Sequence, residues 1–570
     1  MTKENILVSD AIVEFLISRG ITDVFGYPGG MVVLLLNSLK KYQSKISFHL
    51  SFNEQGAAFE ACSWAQVTGK VGVAIATSGP GATNLITGIA NAYYDSVPML
   101  LITGQVNTNE SSNETNLRQI GFQETPISEI VKKITKSAIY VKNKESLIDN
   151  LKKTFLMAIS GRKGPVLIDI PMDIQKASIG INEFELKIKK TSFDIDKFTK
   201  LNLMLSKAKR PVIILGNGIK KSSNYSINEV RYFFNDSIPV VLTLPAIDLL
   251  PTEEKNNFGL IGAYGNRIGN IILSKADLVI SIGSRLDVRQ VGGERNKFAP
   301  NAKIIRIDID NNEFDYHIHN DDLCINFDAF ESIRYINKNL FNKKEWLSTC
   351  FKIKKIIEEN SDDCLPTNKI VKDISLLIPE NSVITTDVGQ NQIWVAQSFN
   401  FRNNVFLTSS GFGSMGYSLP AAIGAYYGCC GKKKIICFNG DGGIQMNIQE
   451  LGMIARDQLP IVVIVFNNEA LGMIRVFQEI YFKSSYMTTK DSGFSNPNFE
   501  KIAEAYNMQY FYKESFTSLD KSLFEISKPV LIEIGIKYPT YINPKLKFKE
   551  SNDNQIPYLE SDVLSKIRKM

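Results

Sequence analysis

The most informative chemical signal is a pair of polar loops in the last third of the 570-residue chain. One apolar run, 435–438, leads into the Asn-Gly-Asp-Gly-Gly loop at 439–443, and a second run, 461–466, ends just before two asparagines. If these runs are neighbouring parallel strands joined by one helix, Asp441 and Asn468 lie side by side at the carboxyl edge of the sheet. A carboxylate and an amide oxygen suit Mg²⁺, which also takes phosphate oxygens from a ligand. The sequence therefore predicts a magnesium and phosphate site.

The order of these parts is the signature of thiamine diphosphate enzymes: a Gly-Asp-Gly loop, an amphipathic helix to about residue 456, a strand and then paired asparagines. Gly440 and Gly442 would let backbone N–H groups approach the phosphates. Thiamine chemistry also needs a carboxylic acid against the aminopyrimidine ring, and Glu54 lies near the start of a predicted helix. The other interpretation of Glu54 is a surface acid that complements the helix dipole.

Histidine is scarce, with three residues in the whole chain: His49, His317 and His319. This scarcity fits a reaction in which the amine of the cofactor itself acts as the base, so that no histidine is needed. His317 and His319 lie in a polar stretch and are predicted to form a surface loop rather than a metal site, because no third ligand with zinc spacing follows.

Three further glycine-rich loops could complete the site. The loop 26–30 follows a predicted strand and could bring backbone donors beside a reacting carbonyl. The loop 77–84 joins a strand to a helix and could also be only a tight turn. The loop 410–416 places Met415 between glycines, where it either packs in the core or supports the bent shape of the cofactor.

The elements that position these loops follow from hydrophobic patterning. Continuous apolar runs that alternate with helix-length segments predict parallel sheets buried on both faces, and hence an α/β fold. These runs are 71–76, 99–103, 166–170, 212–215, 278–282, 304–309, 435–438 and 461–466. Polar stretches at 187–200 and 343–366 are predicted to be linkers. The resulting division is 1–180, 190–345 and 365–545, three doubly wound domains, followed by a tail over 546–570.

Composition excludes several classes of protein. The chain is 44% hydrophobic and 22% charged, with a formal net charge of +6. These values predict neither a nucleic-acid partner nor a membrane partner, because the lysines are dispersed and no apolar run reaches about 18 residues. Seven cysteines without a Cys-x-x-Cys pair indicate free thiols in a reducing compartment. With no signal-peptide pattern at the N-terminus, the sequence predicts a cytoplasmic protein.

Taken together, these motifs resemble acetohydroxyacid synthase (acetolactate synthase) in its large-subunit form, over roughly residues 5–540. The most specific stretches are 25–30, 53–57, 70–105, 161–173, 386–392, 407–425 and 440–478. The resemblance implies a pyrimidine-binding domain, a middle domain of the FAD-binding type and a diphosphate-binding domain. It also implies a homodimer or homotetramer, and it allows a small regulatory subunit as a further partner.

The resemblance assigns site residues one by one. Glu54 of one subunit would reach thiamine diphosphate that is held by another subunit through Mg²⁺. The metal positions are Asp441, Asn468 and the carbonyl of Ala470. The remaining cofactor positions are Gly389, Gln390, Asn391, Met415, Gly440, Gly442 and Met473. Gly30 and Gln123 match catalytic positions on the substrate side, and Phe122 and Phe477 match the acceptor pocket.

The resemblance also implies FAD, in a mainly structural role. Its contact positions in the middle domain, with one from the first domain, are Arg162, Gly216, Gly218, Thr243, Leu244, Arg285, Asp287, Arg289, Asp308 and Asp328. Gly216 and Gly218 form only a lone Gly-x-Gly pattern, which is often just a turn.

The implied reaction decarboxylates pyruvate to hydroxyethyl-thiamine diphosphate and transfers the two-carbon unit to a second 2-oxo acid. Several residues depart from the family pattern. Asn53 and Asn391 stand where histidine is usual, Met31 replaces a small residue, Met172 replaces a lysine, and Phe477 replaces a tryptophan. The changes near the acceptor leave three alternatives open: a nucleotide-linked keto-deoxysugar acceptor, a flavin-dependent pyruvate oxidase, and a non-catalytic paralogue.

Overall fold

Three six-stranded parallel sheets, one in each domain, make up the framework of the chain. The computed structural model describes residues 5–570 except 114, 181–193, 236–237, 515–518 and 548. All eight apolar runs identified from the sequence form strands of these sheets, and their side chains are buried. Burial on both faces explains why these strands are continuously apolar. The predicted α/β fold of three parallel-sheet domains is confirmed.

The first domain has the strand order β3-β2-β4-β5-β7-β6, and a short antiparallel pair, β1 and β8, joins its two ends. Its strands are β1 Ile6–Leu7, β2 Asp23–Gly26, β3 Ser47–Leu50, β4 Gly72–Ala76, β5 Met99–Gln105, β6 Ser137–Tyr140, β7 Pro165–Pro171 and β8 Ser178–Ile179. Its helices are α1 Val8–Ser18, α2 Val33–Lys41, α3 Glu54–Thr68, α4 Pro80–Asn84, α5 Ile86–Tyr94, α6 Ile127–Ile130, α7 Leu147–Ile159 and α8 Met172–Lys176.

The middle domain has the strand order β11-β10-β9-β12-β13-β14. Its strands are β9 Pro211–Leu215, β10 Val240–Leu242, β11 Asn257–Leu260, β12 Leu278–Ile282, β13 Lys303–Asp308 and β14 Leu323–Asn326. Its helices are α9 Ile195–Lys207, α10 Ile227–Phe234, α11 Arg267–Ser274 and α12 Val288–Val291, and α13 Lys344–Asn360 follows. The order reverses between β9 and β12, which is where open α/β sheets bind ligands.

The third domain has the strand order β16-β15-β17-β18-β20-β19. Its strands are β15 Val383–Thr386, β16 Val405–Thr408, β17 Ile435–Gly440, β18 Ile461–Asn467, β19 Gln509–Glu514 and β20 Val530–Gly535. Its helices are α14 Pro366–Leu377, α15 Gln390–Ser398, α16 Ser418–Gly428, α17 Asp441–Gln445, α18 Leu451–Arg456, α19 Gly472–Phe482 and α20 Phe499–Ala505, with α21 Ser561–Lys569 in the tail.

The second predicted linker, 343–366, is largely helical, because most of it forms the 17-residue helix α13. Its polar composition hides a regular apolar stripe, formed by Trp346, Cys350, Ile353 and Ile357, all of which are buried. Spacings of four, three and four residues place these side chains on one face of a helix. Half of the first predicted linker, 187–200, lies outside the described residues, and its last part belongs to α9.

Two further sequence expectations are refined by the structure. The predicted amphipathic helix after the Gly-Asp-Gly loop is broken into α17, a 3-10 turn over Ile448–Glu450 and α18. Asn447 lies between α17 and the 3-10 turn, and its side chain donates to the Gly416 carbonyl at 2.9 Å. In the tail, α21 packs its buried Ile567 with Ile271 and Ile353 of the middle domain and α13.

The helices α3 and α16 join the first and third domains through a very close backbone approach. A Cβ atom added to Gly424 would lie 2.0 Å from the Glu60 carbonyl oxygen and 2.3 Å from Ser63 Oγ. Glycine at this position therefore sets the separation of the two helices.

We expect Gly424→Ala to lower the free energy of unfolding by about 1–3 kcal/mol, because the added methyl group overpacks the α3–α16 contact. Chemical denaturation of the purified protein measures this change. The matched control is Gly180→Ala, whose added Cβ would meet only Asn5 Oδ1, at 3.5 Å. Equal stability of the two variants would contradict this account of the domain contact.

None of the helices in the described part of the chain combines the length and the apolar character that a membrane crossing requires.

Candidate active site

Asp441 begins α17 at the carboxyl end of β17, where the sequence places the metal loop. Its Oδ1 accepts the N–H of Gly442 at 2.9 Å, and its Oδ2 accepts from Asn496 Nδ2 at 2.8 Å and from the N–H of Ala470 at 3.3 Å. Burial raises the pKa of the Asp441 carboxyl to about 6. A carboxylate with this cost of burial is poised for a cation, which would remove the desolvation penalty.

Asn468 lies one residue beyond β18, the strand that pairs in parallel with β17. Its Nδ2 donates to Thr540 Oγ1 at 2.7 Å, and Thr540 in turn donates to Gln390 Oε1 at 2.6 Å. This contact uses the amide nitrogen of Asn468 and leaves its amide oxygen for another partner. The structure thus brings Asp441 and Asn468 to one edge of the sheet, as the spacing predicts.

The predicted phosphate segment adjoins the same edge. Gly389 has φ 148° and precedes α15, and a Cβ atom on Gly440 would lie 3.4 Å from Asn391 Oδ1. A Cβ atom on Gly472 would lie 2.0 Å from Gln390 Oε1 and 3.1 Å from Asn468 Nδ2. Glycines at these points let three loops meet, and the backbone of each reaches the edge where a diphosphate would bind.

Met415 lies against the glycine loop and is half-buried. A Cβ atom on Gly442 would lie 3.7 Å from Met415 Cε. The turn that carries Met415 is held by the buried Asp387 carboxylate, which accepts the N–H groups of Gly416 and Ser418 at 3.0 Å each. Burial raises the pKa of Asp387 to about 6. Met473, near the start of α19, packs against the core of the sheet and remains a predicted contact.

Sequence reasoning missed Asn496, Thr540 and Asp387 in this edge. Asn496 and Thr540 come from loops without a recognisable pattern, and their contacts depend on how those loops pack. Asp387 follows the strand β15 directly, as Asp441 follows β17, so its position at a strand end was the available signal.

Glu54 is the first residue of α3, and the side chain of Asn53 caps the helix by accepting the N–H of Gln55 at 2.8 Å. The Glu54 side chain is buried, so the interpretation as a surface acid is wrong. Its Oε2 accepts from Asn84 Nδ2 at 2.9 Å, and its Oε1 lies 3.0 Å from the position of a Cβ atom on Gly81. The carboxyl therefore faces α4, the short helix that directly follows the loop between β4 and α4.

Gly30 and Gln123 border the same loop between β4 and α4. Thr77 Oγ1 accepts the N–H of Met31 at 3.2 Å, which places Gly30 next to this loop. Gln123 has φ 65°, and its Cβ lies 2.8 Å from the position of a Cβ atom on Gly79. The three predicted catalytic positions thus converge on the segment 77–84 of the first domain, with Gly30 and Gln123 at its loop and Glu54 at helix α4. A strained backbone at Gln123 is of the kind that functional sites retain.

The two predicted acceptor-pocket residues are exposed and lie in different domains. Phe122 is 80% exposed, and Phe477 is 53% exposed. Phe477 lies on α19 and packs against Tyr481 and Phe482, with ring centroids 4.9 and 5.9 Å apart. Within the described residues of one chain, no aromatic contact joins Phe122 to Phe477.

A cavity of about 560 Å³ opens between the middle domain and its two neighbours. The predicted FAD positions that line it are Arg162, Gly218, Thr243, Leu244, Arg285, Asp287, Arg289, Asp308 and Asp328. Gly216 lies under the cavity instead, where an added Cβ would approach Gly283 O at 2.2 Å. Gly216 packs closely at the ends of two strands, and its predicted contact with FAD stays a prediction.

The residues that line the cavity include more cations than acids, and several of these cations are half-buried. Burial lowers the pKa of Lys221 to about 8 and raises the pKa of Asp308 to about 6. Arg162 of the first domain donates to Asp310 at 3.1 Å and also pairs with Glu313, so the cavity wall joins two domains. Such a cavity suits a large ligand with anionic groups.

His319 contacts the carbonyl oxygens of Ala302 and Phe298 at 3.1 Å each, beside an exposed His317. Throughout the described ranges, no group of three or more His, Cys, Asp or Glu side chains is arranged to hold a metal ion. The Asp441–Asn468 edge is of a different kind, because its donors would be one carboxylate, one amide oxygen and a backbone carbonyl.

Three family models match the three domains. They describe the thiamine pyrophosphate enzyme N-terminal TPP binding domain at 6–130, the central domain at 198–336 and the C-terminal TPP binding domain at 387–534. The fold and the site therefore define a thiamine diphosphate-dependent enzyme.

Full-length relatives narrow this class. The acetolactate synthase isozyme 2 large subunit of Escherichia coli (strain K12) is 33% identical over 560 residues, covering 96% of this chain and 99% of the relative. The acetolactate synthase large subunit of Lactococcus lactis subsp. lactis (strain IL1403) is 34% identical, covering 96% of each chain. The chain belongs to the acetolactate synthase large-subunit family.

Proposed function

We propose that the chain is an acetolactate synthase that decarboxylates pyruvate and joins the remaining two-carbon unit to a second 2-oxo acid. The observation that carries the proposal is the convergence of Glu54, Gly30 and Gln123 on the segment 77–84, combined with the Asp441–Asn468 edge in the third domain. The relatives are named as acetolactate synthases. The nucleotide-sugar, oxidase and non-catalytic alternatives are therefore not needed.

The Asp441–Asn468 edge fits Mg²⁺ and a diphosphate. The Asp441 carboxylate is held by three N–H donors, and the amide oxygen of Asn468 is left over by its contact with Thr540. The carbonyl of Ala470 accepts the N–H of Gly472 at 2.9 Å and has a second lone pair. Oxygen donors of these types suit Mg²⁺, which keeps waters and takes phosphate oxygens.

Thiamine diphosphate supplies the carbanion chemistry when it is bound. Glu54 holds and moves a proton at its carboxyl oxygen, against the aminopyrimidine ring, and the contact from Asn84 fixes the orientation of that carboxyl. Gly30 and Gln123 place backbone and amide donors near the reacting carbonyl. Phe122 and Phe477 are exposed in the single chain and would exclude water from the acceptor side only when a second copy of the chain covers them.

The two halves of this site lie in different domains, and the polar contacts of Glu54 all lie within the first domain. We propose that a second copy of the chain completes the site, so that the active form is a homodimer or a larger homo-oligomer. The exposed apolar side chains of α19, which include Ile474, Phe477 and Phe482, support this arrangement. A small regulatory subunit is a further proposed partner, because the relatives are named as large subunits.

The middle cavity fits FAD, and the strand order gives the orientation. The close-packed glycines Gly218 and Gly283 lie at the reversal between β9 and β12, which is where open α/β sheets bind the diphosphate of a dinucleotide. Asp308 ends β13 and Asp328 follows β14, so both acids suit the adenosine ribose. Thr243 and Leu244 follow β10, on the opposite side, and would contact the flavin ring. We propose that this FAD is structural.

We expect Gly218→Val to weaken FAD retention by about tenfold or more, because its side chain would meet Gly283 Cα at 2.8 Å in the ligand cradle. The flavin absorbance of the purified protein, divided by protein concentration, measures retention. Glu54→Gln is the control, since Glu54 does not line the cavity. Full flavin content in Gly218→Val would contradict the assignment.

The choice of acceptor is tested by product analysis. Purified protein with Mg²⁺, thiamine diphosphate and FAD receives equimolar pyruvate and 2-oxobutyrate. We expect acetolactate as one product and a mixed acetohydroxy acid as another, with their ratio changed in Phe477→Trp because the larger indole reshapes the pocket. An unchanged ratio would remove Phe477 from the acceptor pocket. Absence of both products would oppose the proposed function itself.

A further inference from the structure

A buried glutamate of the third domain contacts the turn that leads to Glu54. Glu450 lies in the 3-10 turn after α17, and its side chain is completely buried. Both of its carboxylate oxygens accept the N–H of Phe52, at 3.1 Å each. A Cβ atom on Gly56 would lie 2.5 Å from Glu450 Oε1, so glycine in the first turn of α3 makes room for this carboxyl.

A second buried glutamate, Glu60, holds the same turn from α3. Its Oε2 accepts the hydroxyl of Ser51 at 2.6 Å. From α18, Arg456 donates to the Leu50 carbonyl at 3.1 Å. Leu50, Ser51 and Phe52 are thus each bonded to a charged side chain, and the two glutamates among these side chains are buried. The turn is held far more firmly than a surface connection requires.

Ionisation of both glutamates at once would be unfavourable in free energy. Glu60 Oε1 is buried and has no hydrogen-bond partner in the part of the chain that the structure describes. Burial and the neighbouring Glu450 carboxylate raise the pKa of Glu60 well above its ordinary value, and burial raises the pKa of Glu450 to about 7. Two interacting buried acids of this kind retain a proton between them near neutral pH.

Other charged groups face the pair from α16 and α18. Arg456 lowers the pKa of both glutamates, whereas Asp457 raises the pKa of Glu60. Tyr427 of α16 donates to Asp457 at 2.8 Å, so its hydroxyl is committed elsewhere. One arginine does not neutralise two buried carboxylates, since it also pairs with Asp457 at 2.7 Å.

We propose that Glu450 and Glu60 are positioning residues that fix the turn before α3, so that Glu54 is presented to the cofactor, and that the pair together keeps one proton on either carboxyl. Glu450 lies in the segment directly after the Asp441 loop. Glu450 therefore links two parts of the chain, the sheet edge that holds Asp441 and Asn468 and the turn that precedes Glu54. Loss of the proton that the pair keeps would place two charges in this space and displace the turn. The inference rests on the proposed role of Glu54.

The test measures the rate at which the thiazolium C2 proton of bound thiamine diphosphate exchanges with deuterium in the Mg²⁺ holoenzyme. We expect Glu450→Ala to slow exchange about tenfold or more, with cofactor affinity changed far less, because the Phe52 N–H loses its acceptor. Glu450→Gln keeps an acceptor but cannot ionise. We expect it to match the natural protein near neutral pH and to move the alkaline fall in exchange upward by about one pH unit or more.

Asp169→Asn is the matched control. Asp169 is buried and has a pKa raised to about 7 by burial, but it bonds to Thr103 and Gln105, away from the turn. We expect its exchange profile to equal that of the natural protein. Glu54→Gln reports on the proposed function: normal exchange in that variant would reject the role of Glu54.

Two results would overturn the inference while leaving the role of Glu54 intact. One is a loss of exchange in Glu54→Gln together with a rate within about twofold of the natural protein in Glu450→Ala. The other is a fall in the exchange rate at alkaline pH that occurs at the same pH in Glu450→Gln as in the natural protein. If Glu450→Ala does not fold, the pH profile of the near-isosteric Glu450→Gln decides alone.

Discussion

Glu54→Gln will abolish turnover of pyruvate and leave the fold intact. The carboxyl is buried and oriented by Asn84, so its ability to gain and lose a proton is the property that the cofactor uses. Glutamine retains an oxygen that can accept from Asn84 Nδ2 but cannot take part in proton transfer. We expect kcat to fall by about 10²–10⁴, the range typical of losing one general acid–base group.

The measurement is the initial rate of CO₂ release from pyruvate, with thermal unfolding recorded on the same preparations. Glu129→Gln is the control, since Glu129 is an exposed acid of the same domain that pairs only with Lys132 at the surface. An unfolding midpoint close to that of the natural protein would show that the fold is retained. Near-normal CO₂ release by Glu54→Gln would contradict the account.

The second large effect is expected from Asp441→Asn. This change removes the carboxylate among the three predicted metal ligands and replaces it with a neutral group of the same shape. We expect the affinity for Mg²⁺ and thiamine diphosphate to fall about 100-fold or more, as metal sites lose binding when a charged ligand is removed. Part of the lost activity should return at high Mg²⁺ concentration.

Equilibrium binding of thiamine diphosphate at several Mg²⁺ concentrations measures this effect. The control is Asp520→Asn in the same domain, where the carboxylate caps a short helical turn by accepting from the Ser522 N–H at 2.8 Å. Binding by Asp520→Asn should be unchanged. If Asp441→Asn binds the cofactor as tightly as the natural protein, Asp441 is not a metal ligand.

Much of the fold could be predicted because buried parallel strands are continuously apolar and can be identified from the sequence. Each of the eight apolar runs became a strand, since a strand covered on both faces has no polar side to interrupt the run. The helix α13 was missed for the opposite reason. Its exposed side chains outnumber the four buried ones, so its average composition is polar. The helix is indicated only by the spacing of its buried side chains, Trp346, Cys350, Ile353 and Ile357.

The residues of the candidate site likewise fall into two groups, those that the local sequence could place and those that it could not. Asp441 and Asn468 could be placed because both follow strands, and neighbouring parallel strands end at one edge. Asn496 and Thr540 could not, because their positions depend on how long loops fold back over that edge. The contact of Glu450 with Phe52 spans 398 residues of sequence and two domains. No local pattern contains that information.

The central claim is tested most directly by supplying the purified protein with pyruvate as the sole substrate, in the presence of Mg²⁺, thiamine diphosphate and FAD. The account predicts that CO₂ and acetolactate form in equal amounts, without hydrogen peroxide. Pyruvate that remains unconsumed, or that yields CO₂ without acetolactate, would contradict it.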